Sequence, residues 1–457
     1  MLRSIARKMT GRGASAKPAA PGATGSSGEL VFAGPLPPAP TGIATYDRAV
    51  LDGLERIGFM DRHRMDVMWP IEPKDSPRLP GYRLGIFQLG NNVEFHLEIY
   101  RAAFLTPALV VLHDLALDDF VRGLKTLGEP LGYMAAREAA AQRRNLTSPD
   151  IVRNEPLRDP WCAHVVRRAR GIVVHAEFGK RYLEELGCRT PVFVVPHPVV
   201  ETPAAMAKGE ARGRELRAQL AARGAAKVIV APGDLNEAKR LDALLEAAQQ
   251  LPDDVHVALV GRRISGYDID RVIEERRLGD RVTLAPDVSD DDFRGWLFAA
   301  DVIVDLRFPH RGEVSGSLAR AMQAGRPAIV SATGTYLDAP DDTVLRVAAG
   351  PTSPGELATR LRTLLDDDDL RARMGAAAKA HIETQRTSEA TAHGYEHAIE
   401  ATLALVGDPA HKAMAIWGKA LADMGVTEDD LAAGAGMEYA RALETFRGTP
   451  PERHGTS

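Results

Sequence analysis

Cysteine is nearly absent from this sequence, which has only Cys162 and Cys188 among 457 residues. Two cysteines exclude a disulfide framework and a thiolate zinc site, and they favour a reducing, cytoplasmic location. No apolar run reaches the roughly 18–20 residues that span a bilayer, and no secretion signal is evident at the amino terminus. Neither charge dominates, because 57 basic residues stand against 62 acidic ones. This balance argues against a dedicated nucleic-acid binder.

The bulk composition is that of a folded chain with more than one core. Hydrophobic residues make up 45% and charged residues 26% of the sequence, which is typical of globular proteins. A single core rarely grows beyond about 250–300 residues. We therefore predict two domains.

Residues 1–28 differ from the rest, because they contain five cations and no acid and end in an Ala/Pro/Gly/Ser stretch. This composition predicts a disordered basic tail. The alternative is a short helix with Leu2, Ile5 and Met9 on one face, which would make a peripheral contact with an anionic membrane surface.

Short apolar runs alternate with helical patterns from Glu29 onward. The runs are LVFAGPLP, RLGIFQLG, ALVVLHD and GIVVH, followed by KVIVAPG, VHVALVG, RVTLAP, DVIVDL and PAIVS. Uninterrupted Val/Ile/Leu runs are typical of parallel strands buried on both faces. They predict two doubly wound α/β domains over residues 29–205 and 206–400, joined by a linker at 199–213 and followed by a helical extension at 401–457.

The stretch at residues 301–331 reads as strand, loop, helix and strand. We predict the helix at about residues 315–324, with Gly325 at its carboxyl end. The sequence before and at the helix start supplies a carboxylate, two hydroxyls and a glycine, from Glu313, Ser315, Ser317 and Gly316. Unpaired N–H groups at such a start bind anions, although an ordinary serine N-cap has the same appearance.

A second candidate anion site precedes the helix in KVIVAPGDLNEAKRLDALLEAAQQL. Lys239 and Arg240 fall where the loop meets the helix, a place where cations oppose the helix dipole. A bound phosphate would account for them, and a solvent-facing basic pair is the alternative. We expect Lys239 to lie in an accessible loop, so that its removal leaves the fold intact.

Polar residues follow three strands of the first half, at the sheet edge where ligands of open α/β folds bind. They are Gly42 and Ile43, Asn91, Asn92 and His96, and His113 and Asp114. Each group could be structural by itself. Three groups at one edge favour a binding site.

Over residues 30–400 these motifs together resemble the family-4-type retaining glycosyltransferases of GT-B architecture. The segments that carry the resemblance are LVFAGPLPPAPTGIATY, LGNNVEFH, VVLHD, VVHAEFGKRYLEEL, VVPHPV and LRFPHRGEVSGSLARAMQAGRPAIVS. The resemblance implies two Rossmann-like domains facing a cleft, with an acceptor domain first and a nucleotide-sugar domain second. It also implies transfer of a sugar from a UDP-, GDP- or similar donor to a glycan, lipid-linked or other hydroxyl acceptor, in cell-envelope or extracellular polysaccharide synthesis.

The resemblance also assigns roles to residues, and it implies neither a metal nor another cofactor. Glu313 would hold the donor sugar and His113 would contact its hydroxymethyl group. The diphosphate would meet Lys239, Arg240, Ser315, Gly316, Ser317 and Gly42. Further donor or acceptor contacts would come from Ile43, Asn91, Asn92, His96, Asp114 and Gly233.

Two positions depart from the family pattern. The family has a second glutamate near the ribose, where this chain has Ala321 preceded by Arg320, and Asp234 stands where an arginine is common. The alternative that these departures favour is a non-catalytic GT-B-like protein that binds a nucleotide sugar or glycan as a partner subunit. A sugar-nucleotide epimerase or an inverting transferase of the same architecture also remains open.

Overall fold

A computed structural model describes residues 28–199, 201–350 and 354–407. All but the last residue of the predicted basic tail 1–28 lies outside the described residues, and so does the extension beyond residue 407. Within the described part, the strands form two six-stranded parallel sheets. The predicted pair of doubly wound α/β domains is confirmed.

The first sheet has the strand order β2-β1-β3-β4-β5-β6. Its strands are β1 (Leu30–Ala33), β2 (Met65–Met68), β3 (Leu84–Leu89), β4 (Ala108–Leu112), β5 (Gly171–Val174) and β6 (Val192–Val194). In the register, Leu30 of β1 lies between Met65 of β2 and Leu84 of β3. Every residue of β1, β3, β4 and β5 is buried, because helices cover both faces of the sheet.

The second sheet has the strand order β12-β11-β10-β7-β8-β9. Its strands are β7 (Lys227–Pro232), β8 (Val255–Gly261), β9 (Val282–Pro286), β10 (Val302–Asp305), β11 (Ala328–Ser331) and β12 (Val344–Val347). The strand order reverses direction beside β7 and β10, so the loops after these strands open a crevice at their carboxyl ends.

Helices pack around both sheets. Those of the first half are α1 (Gly42–Arg56), α2 (Phe59–Arg62), α3 (Val93–Ala102), α4 (Asp118–Thr126), α5 (Pro130–Gln142), α6 (Pro149–Val152), α7 (Glu155–Arg158), α8 (Ala163–Val166) and α9 (Glu177–Glu185). Those of the second half are α10 (Pro203–Ala221), α11 (Leu241–Ala248), α12 (Ile269–Arg276), α13 (Asp290–Ala299), α14 (Gly316–Gln323), α15 (Pro354–Leu365), α16 (Asp368–Gln385) and α17 (Ser388–Gly407). Short 3₁₀ turns span Ser76–Gly81, Arg143–Asn145, Glu237–Lys239, Gly279–Arg281 and Gly334–Asp338.

The predicted linker at 199–213 is mostly helical. Thr202 caps α10 through a 3.1 Å bond from the Ala205 N–H, and Pro203 occupies the first turn. Proline is favoured there because its missing N–H would have no partner in a helix start. Pro203, within the predicted linker, therefore begins a helix.

The chain passes from one sheet to the other twice, and hydrogen bonds join the two passages. The Val199 N–H donates to the Arg386 carbonyl at 2.9 Å, and the Thr391 hydroxyl donates to the Pro196 carbonyl at 2.9 Å. After the second passage, α17 packs on α1 and the first sheet. Residues 388–400, which we expected in the second domain, thus pack with the first.

Candidate functional site

Two helix starts, one from each half of the molecule, line a single cavity of about 300 Å³. One is the start of α1, where Gly42 follows the N-cap Thr41. The other is the start of α14, where Gly316 follows the N-cap Ser315. A Cβ atom at either glycine would meet nothing within 4 Å, so a ligand can approach both backbones. Facing helix starts of this kind favour an anion.

Lys239 lies just behind the start of α14 and is not in an accessible loop. Its side chain is only 6% exposed and pairs with the fully buried Asp305. The ammonium also lies 3.0 Å from the Pro232 carbonyl and 3.5 Å from Ser317 Oγ. Burial lowers the pKa of Lys239, while the Asp305 carboxylate opposes that change. The expectation of an accessible loop is therefore wrong, and removal of Lys239 would leave Asp305 buried without its cation.

The second sheet brings Gly233, a predicted donor or acceptor contact, and the predicted phosphate residues Ser315 and Ser317 close to the Lys239–Asp305 pair. Gly233 has a φ of +109°, and a Cβ there would lie 3.0 Å from Lys239 Nζ and 3.1 Å from Ser317 Oγ. Ser315 donates to Asp305 at 2.5 Å and accepts from the Leu318 N–H at 3.2 Å. Ser315 is thus the N-cap of α14, and it lies at the helix start that we predict to bind an anion.

Arg240 is held differently from Lys239. Its backbone has a φ of +50°, and its guanidinium donates to the Gly350 carbonyl at 2.6 Å and to Asp242 at 3.2 Å. Asp242 already balances much of the Arg240 charge. The assignment of Arg240 to the diphosphate stays a prediction.

Glu313 precedes α14 and is fixed as an anion. It pairs with Arg307, accepts the Arg311 N–H at 2.8 Å and lies 3.4 Å from His310 Nδ1. Burial opposes its ionisation, yet the nearby Arg307 and His310 lower the pKa of Glu313 to about 2. The Glu313 side chain is 18% exposed.

The loop that carries Glu313 meets the end of β4 from the other half. The N–H groups of Leu115 and Ala116 donate to the Arg311 carbonyl at 3.1 and 3.0 Å. Asp114 accepts the Asn91 N–H at 3.0 Å, and burial together with the Glu313 charge raises the pKa of Asp114 to about 7. The structure thus brings the predicted residues Asp114 and Glu313 into one electrostatic environment.

Asn91 and Asn92, two of the predicted donor or acceptor contacts, form hydrogen bonds that stabilise neighbouring helix starts. The Asn91 side chain accepts the Phe120 N–H at 2.9 Å and donates to Asp118 at 2.9 Å, which fixes the start of α4. Asn92 caps α3 by accepting the Glu94 N–H at 2.8 Å. These bonds account for both asparagines without a ligand.

His113 belongs to a buried hydrogen-bonded group on the first half. Its Nε2 lies 2.9 Å from Gln88 Oε1, and the Gln88 amide reaches the Tyr395 hydroxyl at 3.2 Å. Tyr46 completes the group through a 2.9 Å hydroxyl contact with Tyr395. Burial lowers the pKa of His113 well below its usual range. The imidazole is therefore a neutral hydrogen-bonding group.

His96 lies beneath this group and away from the cavity. Its Nδ1 is 3.0 Å from the Gln88 carbonyl, and burial lowers its pKa to about 4. A Cβ at Gly90 would lie 2.9 Å from His96 Nε2 and 2.5 Å from Ile43 Cδ1. Both predicted contact residues, His96 and Ile43, therefore pack against the Gly90 backbone.

The sequence reasoning missed several residues around the cavity. His175 and His197 surround Tyr46 with ring centroids 5.0 and 4.7 Å away. Glu201 lines the cavity from the first passage between the sheets. His175 follows a strand directly, which is the same signal that identified His113. Glu201 carries no such signal, because its position depends on how the two halves meet.

Arg320 also lines the cavity, whereas its neighbour Ala321 is fully buried. A further cavity of about 480 Å³ opens beside it at the carboxyl ends of β7, β8 and β9. Its lining residues are Gly233, Asp234, Gly261, Arg262, Asp287, Val288, Asp290, Phe293 and Arg320.

The described residues also bear on metals and membranes. No group of three or more His, Cys, Asp and Glu side chains among them is placed to hold a metal ion. None of the helices in this part of the chain combines the length and the apolar character that crossing a bilayer demands.

Comparisons with known proteins agree with this architecture. Residues 213–381 match the family described as glycosyl transferases group 1. D-inositol 3-phosphate glycosyltransferase of Mycolicibacterium gilvum is 30% identical over 59% of this chain and 61% of its own length. The enzyme of that name from Paenarthrobacter aurescens is 31% identical over 33% of this chain and 38% of its own length. The chain thus matches about two fifths to three fifths of the length of these curated relatives.

Solved structures resemble the chain over a larger share. Anabaena HepE in complex with UDP-glucose superposes with a TM-score of 0.57 at 15% identity, covering 82% of this chain and all of that one. Sucrose-phosphate synthase from Thermosynechococcus elongatus gives a TM-score of 0.56 at 17% identity, covering 82% and 99%. Residues 213–381 are therefore a glycosyl transferases group 1 domain, and the chain has the two-domain GT-B fold.

Proposed function

We propose that this protein is a retaining glycosyltransferase that moves a sugar from a nucleoside-diphosphate sugar to a hydroxyl acceptor. One observation carries the proposal. The starts of α1 and α14 face the same cavity, with Lys239 behind the second of them. Helix starts and a cation around one cavity suit a diphosphate.

The reaction expels a nucleoside diphosphate, so negative charge grows on the leaving group. Donors that are already oriented stabilise this charge without reorganising. Lys239 and the Ser317 hydroxyl would supply them together with the N–H groups of the α14 start. In this proposal these groups stabilise the negative charge that a metal ion would otherwise neutralise.

Glu313 and His113 would orient the sugar. The carboxylate of Glu313 is held by Arg307 and the Arg311 N–H, so it can accept hydrogen bonds from sugar hydroxyls at a fixed place. Neutral His113 would form a hydrogen bond with the sugar and, having no charge, would not pair with the phosphates. In a front-face reaction the leaving phosphate takes the proton of the acceptor hydroxyl, and no protein base is required.

The donor and the acceptor are proposed by class. HepE has been solved with UDP-glucose, and the curated relatives are named for D-inositol 3-phosphate. We propose a UDP- or GDP-sugar donor and a glycan, lipid-linked or other hydroxyl acceptor, within envelope or extracellular polysaccharide synthesis. The enzyme would act in the cytoplasm, with residues 1–28 touching an anionic membrane.

Liposome sedimentation tests the membrane contact. The full chain should sediment with anionic vesicles and should release them as salt rises, because salt screens the attraction. A chain without residues 1–28 should stay in the supernatant. Equal sedimentation of both proteins would contradict this part of the proposal.

A thermal-shift panel of nucleoside diphosphates tests the donor site. A ligand at 100 times its dissociation constant should stabilise the fold by about 2.7 kcal/mol. Donor turnover with and without candidate acceptors then tests catalysis, and NMR of the anomeric product separates retention from inversion. Failure of every nucleoside diphosphate to bind would contradict the proposal.

A second candidate function rests on Ala321. A GT-B protein without the second glutamate could bind a nucleotide sugar as a non-catalytic partner subunit. Tight binding of a donor with neither transfer nor hydrolysis would favour this alternative.

A further inference from the structure

The cavity between the helix starts and the cavity beside β8 and β9 meet at one place. Both are lined by Asp290, at the start of α13, and by Arg320. Under the proposed function, on which this inference rests, the phosphates occupy the first cavity. The nucleotide base then occupies the second cavity. Because ribose joins the base to the phosphates, it must lie where the two cavities meet.

Arg320 is held rigidly at this junction. Its Nε lies 2.7 Å from Glu201 Oε1, and its guanidinium lies 4.6 Å from the centroid of the Phe293 ring. Glu201 is in turn held by Arg294, whose Nε donates at 2.7 Å. The Glu201 side chain is only 9% exposed, and each of its oxygens faces an arginine.

Asp290 is the accessible carboxylate of the junction. Its side chain is 77% exposed, and its Oδ1 accepts from Arg320 Nη2 at 3.3 Å. A carboxylate offers about four lone-pair positions, so the contact with Arg320 leaves room for two hydroxyl donors. Vicinal hydroxyls suit the two oxygens of one carboxylate.

We infer that Asp290 binds the vicinal hydroxyls of the donor's ribose, and that Arg320 and Glu201 are positioning residues for it. In this chain the carboxylate comes from α13, whereas position 321 on α14 is a buried alanine. Asp290 thereby distinguishes ribonucleotides from 2′-deoxyribonucleotides.

Calorimetry with paired nucleotides tests this inference. UDP, GDP and ADP are titrated into the full chain, and the tightest binder is then compared with its 2′-deoxy form. The wild type should bind the ribose form about tenfold more tightly, a difference of about 1.4 kcal/mol, because the 2′-hydroxyl donates a hydrogen bond to the Asp290 carboxylate. Asp290→Ala should bring the ratio close to one. Arg320→Gln, which leaves Asp290 without its guanidinium partner, should lower the ratio as well.

Asp291→Ala is the matched control. It removes a carboxylate from the same helix turn but from neither cavity, so the ratio should stay at the wild-type value. An unchanged ratio in Asp290→Ala would overturn the inference and leave the proposed function intact. Failure of all three ribonucleotides to bind the wild type would instead overturn the proposed function.

Discussion

The two sides of the cleft handle polar groups in opposite ways. On the first half, His113, His175 and Tyr46 form a buried group whose members are uncharged. On the second half, Lys239 pairs with Asp305 and Arg307 pairs with Glu313. One side offers neutral donors and acceptors, and the other offers charges held in pairs.

The difference suits the two parts of a nucleotide sugar. A phosphate needs positive charge that does not reorganise, and pairing with a carboxylate fixes a cation in place. Sugar hydroxyls need only hydrogen-bond partners, which neutral imidazoles provide. The comparison therefore predicts that charge-removing variants act most strongly on the second half.

Lys239→Ala should have the largest effect. Asp305 would be left buried without its cation, and breaking a buried pair costs about 3–5 kcal/mol of stability. The variant should also lose nucleoside-diphosphate binding. Urea unfolding and calorimetry measure the two effects.

A double variant separates stability from binding. Lys239→Met with Asp305→Asn removes both charges, so it should recover much of the stability without recovering binding. A Lys239→Ala protein as stable as the wild type would contradict the role of this ion pair.

Glu313→Gln should have the next largest effect, on turnover. Loss of one charged hydrogen bond to the sugar would lower the rate by roughly ten- to a hundredfold, from about 1.5–3 kcal/mol. Nucleotide affinity should change far less, because misorientation penalises the transition state most. Steady-state rates beside calorimetric affinities decide this, and a fully active variant would refute both the role and the placement of the sugar.

The pH dependence of stability should report the buried histidines, which lie on both sides, because His310 of the second half also has a lowered pKa of about 4. His96 and His175 have a pKa of about 4 in the folded state against 6.5 when unfolded, so the unfolded state binds more protons between these values. Stability should fall as the pH drops from about 7 to 4. The Glu313 contribution is full above pH 4.5 and is lost only toward its folded pKa of about 2.

His175→Gln checks this assignment. Removing one such histidine should reduce the slope of the unfolding free energy between pH 6.5 and 4 by about 1.4 kcal/mol per pH unit. Glu313→Gln should change the slope in that window only through its neighbours Asp114 and His310, whose pKa values depend on the Glu313 charge. An unchanged slope in His175→Gln would contradict the lowered pKa of His175.

Asn92→Ala should have the smallest effect and tests whether polar residues of the first half are structural. Loss of the α3 cap should cost about 1 kcal/mol of stability with no change in nucleotide affinity or turnover. Asn92→Ser keeps a capping oxygen and should restore stability. A large loss of activity in Asn92→Ala would return this residue to the binding site.

The fold could be predicted from the sequence where the pattern was local. The all-buried runs of β1, β4 and β8 mark the sheets, and the helix at α14 follows from its serine cap and Gly325. Strands β2, β6 and β12 escaped notice, because most or half of their residues are only partly buried and the pattern there is mixed.

The site could be predicted only in part, because its burial depends on tertiary packing. A strand end indicated His113, and the starts of two helices indicated Lys239 and Glu313. The partners Asp305 and Arg307 and the cavity residue Glu201 were missed, since no local pattern says which side chains from distant segments meet. The same limitation made Lys239 look accessible.

The return of α17 to the first sheet has a consequence for the order of folding during synthesis. Tyr395 and Ile399 of α17 complete a core that also contains Leu30, Phe32 and Leu54. A ribosome that has released residue 199 has therefore delivered every strand of the first sheet and α1, but not the second helix of this core. The part of the core that α17 covers stays incomplete until the whole second sheet has been synthesised.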